Sequence, residues 1–315
     1  MFAPRPSAAL AALLLLLASA TPLRADSQGG SFRLWPHAAR DLAMGDAATL
    51  LAPGLESLFT QPASLVGMDS WELGLSAQRP AGLDGLDLNS AALGLASGRR
   101  LRSAGECTPT SRHAAALAVQ HLGATLADDS GWGETTVALG LAWSPVRWIS
   151  MGLRGDYSRG GSDDGVDDGR AVAMSVGLRA VVLNPGLEFG WVAEDVVQRF
   201  HWQDAPDDTR RRASAQVLAL AARLPWRLDV EVQGRWRYRS LERAGLGLEW
   251  HPLGPAFALR GGFLAHRRLE ESVAPSFGAG LTRGPLRVDY GFRFEREEGP
   301  GSQHRLSLRW VGGRP

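Results

Sequence analysis

Trp226 to Arg239 read WRLDVEVQGRWRYR. Even positions carry Trp226, Leu228, Val230, Val232, Gly234, Trp236 and Tyr238. Odd positions carry Arg227, Asp229, Glu231, Gln233, Arg235, Arg237 and Arg239. A period of two puts alternate side chains on opposite faces of a strand, so one face here is apolar and the other charged. The run exceeds the usual soluble strand of about 5–6 residues. It is long enough to cross a bilayer as a tilted strand, which takes roughly 9–11 residues. Aromatic residues near both ends of the apolar row match the girdles of membrane barrels. A long two-faced strand in a soluble sheet would read the same way, so the rest of the chain has to decide.

The same texture repeats from Trp71 to Trp310 in fourteen segments, the first near 70–79 and the last near 303–311. Clear examples are Val137/Leu139/Leu141/Trp143, Ile149/Met151/Leu153/Tyr157 and Val288/Tyr290/Phe292/Phe294. The connections sort into two kinds. Short, proline-marked turns fall at Ser144-Pro145, Asn184-Pro185, Leu224-Pro225, His251–Pro255 and Arg283–Pro285. Longer polar or acidic loops fall at Pro80–Gly85, Ala127–Gly133, Ser158–Arg170, Val197–Arg212, His266–Ser272 and Arg296–Ser302. Two gaps break this alternation: Ser97–Arg112 is long where a turn is expected, and Arg239–Glu242 is short where a loop is expected. Short turns at one end and long loops at the other are the habit of outer-membrane barrels. In hydrocarbon every backbone N–H and C=O must be satisfied internally, which leaves helices or closed sheets. Mean hydropathy is −0.12, and after residue 20 no apolar run approaches the roughly 18 residues of a spanning helix. The expected fold is therefore all-β: an antiparallel transmembrane β-barrel of about 14 strands over residues 70–311.

The first twenty residues read as a secretory signal peptide, with Arg5, the apolar stretch Ala8–Ala18 and the small-residue site Ala18-Ser19-Ala20. No cysteine follows the apolar core. The single cysteine, Cys107, has no partner for an intramolecular disulfide. All 34 basic residues are arginine, and the formal net charge is +1. That supplies no bulk field for nucleic acid. Inward rows such as Arg227, Asp229, Glu231, Arg235 and Arg237 carry both signs, so ion pairs across strands are expected in the lumen.

Residues 21–69 differ from the rest: a polar leader, then FRLWPHAARDLAMGDAATLLAPGLESLFTQPASLVGM, rich in Ala, Leu and Gly and without alternation. Short helices are expected near Ala38–Ala43 and Ala47–Leu51, broken at Pro53-Gly54. The segment is too short for a core of its own and must pack against something larger. Within it, Ala39-Arg40-Asp41-Leu42-Ala43-Met44-Gly45-Asp46-Ala47 and Glu56-Ser57-Leu58-Phe59-Thr60-Gln61-Pro62-Ala63-Ser64-Leu65 resemble the opening of the PorV/PorQ family, itself related to FadL-like fatty acid transporters. The family's Asn before Pro-Ala is Gln61 here. The resemblance implies a fourteen-stranded barrel in the bacterial outer membrane with the N-terminal segment as a luminal plug. It makes Met44, Gly45, Phe59, Gln61, Pro62 and Ala63 the plug candidates, as gate or ligand contacts or as plain packing.

For catalysis the chain offers no nucleophile elbow, no His-Glu-x-x-His, no phosphate loop and no cysteine cluster. No catalytic residue, cofactor or metal ligand is expected. The acidic loop Gly161–Gly169 lacks the spacing of a calcium site and reads as a solvated surface. Arg199–Asp204, aromatic and polar together, reads as a loop that touches a partner or anchors at the membrane surface. Two functions fit. The main reading is a surface scaffold or secretion-associated barrel that binds a secreted or envelope protein, since its lumen is charged and its long loops polar. The alternative is FadL-like passage of a hydrophobic ligand. Either way the partners are outer-membrane lipid and no nucleic acid.

Overall fold

The computed structural model describes residues 38–80, 86–98, 110–125, 131–162, 168–183, 186–202, 214–266, 272–294 and 302–312. The expected signal peptide, the whole polar leader and Cys107 lie outside these residues. So do most of the long connections, including residues 163–167 of the acidic loop and Gln203 and Asp204.

Fourteen strands follow one another: β1 (Trp71–Pro80), β2 (Asp87–Ser97), β3 (His113–Thr125), β4 (Gly131–Val146), β5 (Ile149–Ser162), β6 (Gly169–Leu183), β7 (Leu187–Trp202), β8 (Ala215–Leu224), β9 (Leu228–Arg237), β10 (Ser240–Trp250), β11 (Phe257–His266), β12 (Ser272–Arg283), β13 (Leu286–Arg293) and β14 (Gln303–Gly312). Each pairs antiparallel with its neighbours, and β1 pairs with β14 from Trp71↔Gly312 to Pro80↔Gln303. The sheet closes on itself, so no edge is left without hydrogen-bond partners. No described helix is long and apolar enough to cross a membrane. The fold class is a closed fourteen-stranded antiparallel transmembrane barrel, as the alternation indicates.

Outward positions are apolar and bare: Leu73, Leu75, Leu93, Leu139, Leu141, Leu306 and Leu308 are all exposed. Six tryptophans, Trp71, Trp143, Trp148, Trp226, Trp250 and Trp310, stand exposed around the short-turn end. Tyr157, Tyr238, Phe263 and Phe294 do so towards the other. Two aromatic girdles bounding an apolar band are what a bilayer selects.

Several boundaries differ from the sequence expectation. Strand β9 begins at Leu228, because Trp226 and Arg227 form the turn from β8, both with φ of 61°. At the far end Tyr238 and Arg239 form a second turn, with φ of 51° and 64°. Left-handed conformation at both central residues matches the twist of a two-residue hairpin, so the connection to β10 is short at the loop end. The β4–β5 turn falls at Arg147-Trp148. Ser144-Pro145 instead makes a register shift in β4, where proline has no N–H to give the ladder. Strands β5, β6 and β7 run 14, 15 and 16 residues, so Arg199–Trp202 belong to β7 rather than to a loop.

Residues 38–68 lie inside the barrel. Helix α1 (Ala39–Ala43) packs on β11 to β14, and the 3-10 turn Leu55–Phe59 packs on β1 to β4. A second 3-10 turn, Pro62–Gly67, packs on β3 to β6. The helix expected at Ala47–Leu51 does not form. The amides of Leu50 and Leu51 donate instead to the Glu231 carboxylate, at 3.0 and 2.9 Å.

Candidate functional site: the segment seated in the lumen

The inward face of the wall is small where the inner segment passes. A Cβ placed on Gly152 would lie 2.3 Å from the Ala63 nitrogen and the Pro62 carbonyl carbon. One on Gly262 would lie 2.3 Å from the Met44 carbonyl carbon. Gly94, Gly140, Gly177, Gly190, Gly278 and Gly291 are likewise covered by the segment. Register lines several of these up, as Gly94↔Ala116↔Gly140, Gly152↔Gly177 and Gly278↔Gly291. At Gly152, Gly262 and Gly291 backbone meets backbone, while at Gly94, Gly140, Gly177, Gly190 and Gly278 a side chain of the segment fills the space that a Cβ would need.

The plug candidates fall on it. Met44 is fully buried in a cluster with Leu50, Leu51, Ala219 and Ala221. Gly45 has φ of +63°, and a Cβ there would lie 2.5 Å from the Phe263 carbonyl oxygen, so space and conformation both demand glycine. Phe59 packs with Leu55, Leu58, Leu65, Val66 and Met68 against alanines of β2, β3 and β4. The Gln61 side chain covers Gly177 and Gly190, and its Nε2 donates to Leu178 O at 3.0 Å and Trp191 O at 3.3 Å. Pro62 and Ala63 lie over Gly152.

Charged inward residues hold the segment in place. Arg154 Nη1 donates to the carbonyls of Leu58 and Phe59, while its Nε pairs with Asp156 at 3.0 Å. Asp46 accepts from Arg293 at 3.0 Å on one oxygen and from Arg243 at 3.1 Å on the other. Arg305 Nη1 donates to Ala38 O, and Ser307 Oγ accepts from the Ala39 amide at 3.1 Å. At the turn end Glu249 joins Arg40 (2.6 Å), Arg260 (2.5 Å) and His251 (2.9 Å), and Asp289 joins Arg260 and Arg287, each at 2.7 Å. Burial of a charge is tolerable only when it is paired like this.

The luminal row therefore divides. Glu231 and Arg235 are buried, and Arg235 pairs with Glu194 at 2.6 Å and with Glu242. Arg237 Nη1 reaches Glu242 at 3.5 Å. Asp229 is half-buried at the turn end. Arg227 is not luminal: the left-handed turn turns it outward, and it is exposed. Among the described residues, Asp229, Glu249 and His251 bring potential ligand atoms within 4.8 Å of one another. Arg40 and Arg260 already occupy both oxygens of Glu249, so a cation there would have to displace a guanidinium. The group is an ion-pair network.

The sequence reading missed Asp46, Arg154, Glu249, Arg260 and Arg293 as anchors, and it missed the glycine belt. One signal was present: Gly291 shares its parity with the inward Asp289 and Arg293.

The closed barrel has solved counterparts. A FadL homologue from Pseudomonas aeruginosa superposes with a TM-score of 0.59 at 10% identity, over 90% of this chain and 100% of that one. The monoaromatic hydrocarbon channel CymD gives 0.61 at 12% identity, again over 90% and 100%. The toluene transporter TodX of P. putida gives 0.59 at 12%, over 88% and 98%. The fold is FadL-like. At such identities the likeness is one of architecture. The sequence matches no protein-family model and no curated protein. The PorV/PorQ side of the motif resemblance thus has no support beyond the motif, and the structural likeness falls on the FadL side, among channels and transporters.

Proposed function

We propose that this chain is exported to the bacterial outer membrane and passes small hydrophobic molecules through a FadL-like barrel, with residues 38–68 as the plug that gates passage. The observation that carries this is the division of labour inside the lumen. The luminal charges are engaged with one another and with the plug backbone, so they act as its anchors and not as a charged corridor. What lies between plug and wall beside β2, β3 and β4 is apolar: Leu55, Leu58, Phe59, Leu65 and Val66 face a sheet of alanines. An apolar ligand moving along that seam meets side chains it can wet at little cost. The similar barrels include a monoaromatic hydrocarbon channel and a toluene transporter, so toluene is one ligand to try, and a long-chain fatty acid, which the resemblance to FadL-like transporters implies, is the other. The scaffold reading rests on the motif, the polar loops and the charged lumen, and those luminal charges are taken up by one another and by the inner segment.

The test is uptake of a labelled long-chain fatty acid or of toluene by cells lacking their own channel. A locked plug is made by Ala39→Cys with Ser307→Cys, where the native side chain of Ser307 already meets the Ala39 amide, in a Cys107→Ser background. Expression of the native chain should raise uptake. Oxidation of the locked form should abolish it, and reduction should restore it. A folded barrel that gives no uptake above the empty cells for either ligand overturns the proposal.

A further inference from the structure

Arginines usually sit apart on a lipid-facing surface, and here they do not. On the outward face near the loop end, Arg159 of β5 is paired across the sheet with Arg170 of β6, and Arg170 with His201 of β7. Arg199 lies one outward position below His201, beside Val172. All four are exposed. Like charges placed directly opposite on neighbouring strands repel and weaken the pairing. Among the described residues the only acid lining this spot is Asp168, 3.6 Å from Arg159 Nη2. Among the described residues two arginines and one carboxylate thus line a groove of about 330 Å3, formed by Tyr157, Arg159, Asp168, Arg170 and His201, with Arg199 one outward position away. Immediately below, Tyr157, Val172 and Val197 begin the apolar band, each about half exposed.

We propose that this groove binds the phosphorylated headgroup of an anionic lipid in the leaflet at the loop end of the barrel. A tetrahedral phosphate offers pairs of oxygens that accept two bonds at once from a planar guanidinium, and its charge would relieve the Arg159–Arg170 repulsion. The apolar band continuous with the groove is what separates this partner from a free phosphate, because it accepts the acyl chains of the same molecule. The inference needs the barrel to lie in a membrane, but it does not depend on what the barrel passes.

Native mass spectrometry of the refolded barrel in detergent tests it, with diphosphoryl lipid A as the probe. Dephosphorylated lipid A and inorganic phosphate are the comparison arms. The native chain should retain diphosphoryl lipid A and neither comparison ligand. Arg159→Gln with Arg170→Gln should lower retention roughly tenfold, the size expected for losing charge-assisted bonds. Asp168→Asn should raise it. Arg79→Gln, which removes an exposed loop-end arginine paired with Asp87 instead, should leave it unchanged. Each variant is first shown to be a closed barrel by heat-modifiable mobility, and the single Arg170→Gln replaces the pair if the double change does not fold. Equal retention by the arginine variants, equal loss on Arg79→Gln, or equal binding of dephosphorylated lipid overturns the proposal. Competition by inorganic phosphate at equal concentration would mean an anion site without a lipid, and it overturns the lipid assignment too.

Discussion

Asp46 and Arg293 are 247 residues apart in the chain and 3.0 Å apart in space. The same carboxylate takes Arg243 of β10 on its other oxygen at 3.1 Å, so one side chain of the inner segment ties two separated parts of the wall. Gly45 and Asp46, both left-handed with φ of 63° and 60°, aim it there. Asp46→Asn keeps the shape and removes the charge. Leaving two guanidiniums without their anion costs about 3 kcal/mol, the scale for breaking a buried pair. The expected outcome is a lower midpoint in denaturant unfolding and faster proteolysis within residues 38–68, with the barrel itself still heat-modifiable. An unchanged midpoint would mean that the clamp contributes nothing net.

Gly152 and Gly155 lie three residues apart on β5 and make opposite predictions. Gly152 faces inward beneath Pro62 and Ala63, whereas no described residue lies within 4 Å of a Cβ on the outward Gly155. Gly152→Leu forces the inner segment off the wall or costs more than about 3 kcal/mol, the upper range for overpacking. Gly155→Ala stays within about 0.5 kcal/mol of the native chain, as surface substitutions do. Thermal unfolding of the two variants decides it, and equal effects would contradict the seating of the segment on Gly152.

How much of this could be read from the sequence follows from the range of each interaction. Strand number and facing depend on a period of two within ten residues, and β9 displays it in full. The turns at Trp226-Arg227 and Tyr238-Arg239 were hidden because left-handed conformation in a non-glycine residue is imposed by hairpin twist, not by side-chain preference. Ala47–Leu51 has the composition of a helix. It is not one because Glu231, 180 residues on, takes the Leu51 amide, and Leu50 donates to the same carboxylate. The resemblance singles out Met44, Gly45, Gln61 and Pro62 but not Arg154 or Glu249, since an inward charge gives no sign of which group it will meet. Gly45 and Gly152 show the limit well: a glycine in the sequence does not say that another stretch of chain lies against it.

Glu231 supplies a local test of that long-range contact. Its carboxylate accepts from two consecutive amides and is fully buried. Glu231→Gln keeps one acceptor oxygen and loses the charge, and hydrogen bonds to charged groups are worth about 1.5–3 kcal/mol. Amide exchange at Leu50 and Leu51 should speed up about tenfold or more, since 1.4 kcal/mol is a factor of ten, while exchange at the β9–β10 ladder changes little. Uniform acceleration across the ladder would show instead that Glu231 holds the wall.

Asp41 gives the pH dependence. It lies on α1, is about 1% exposed, and neither carboxylate oxygen has a hydrogen-bond partner among the described residues. Burial foremost, then the nearby Glu56, pushes its carboxyl well above the usual range, against the opposing pull of Arg305 and Arg40. The folded protein therefore holds the proton more tightly than the unfolded chain does. Stability from this group is full below the unfolded carboxyl value and falls as pH rises towards the folded one. Unfolding midpoints taken from about pH 4 to about pH 9 should decline for the native chain over that window. Asp41→Asn, which cannot ionise, should flatten the decline and be the more stable protein at the alkaline end. If the variant instead falls in parallel with the native chain, Asp41 is ionised in the folded state, and its charge must be balanced by Arg305 and Arg40.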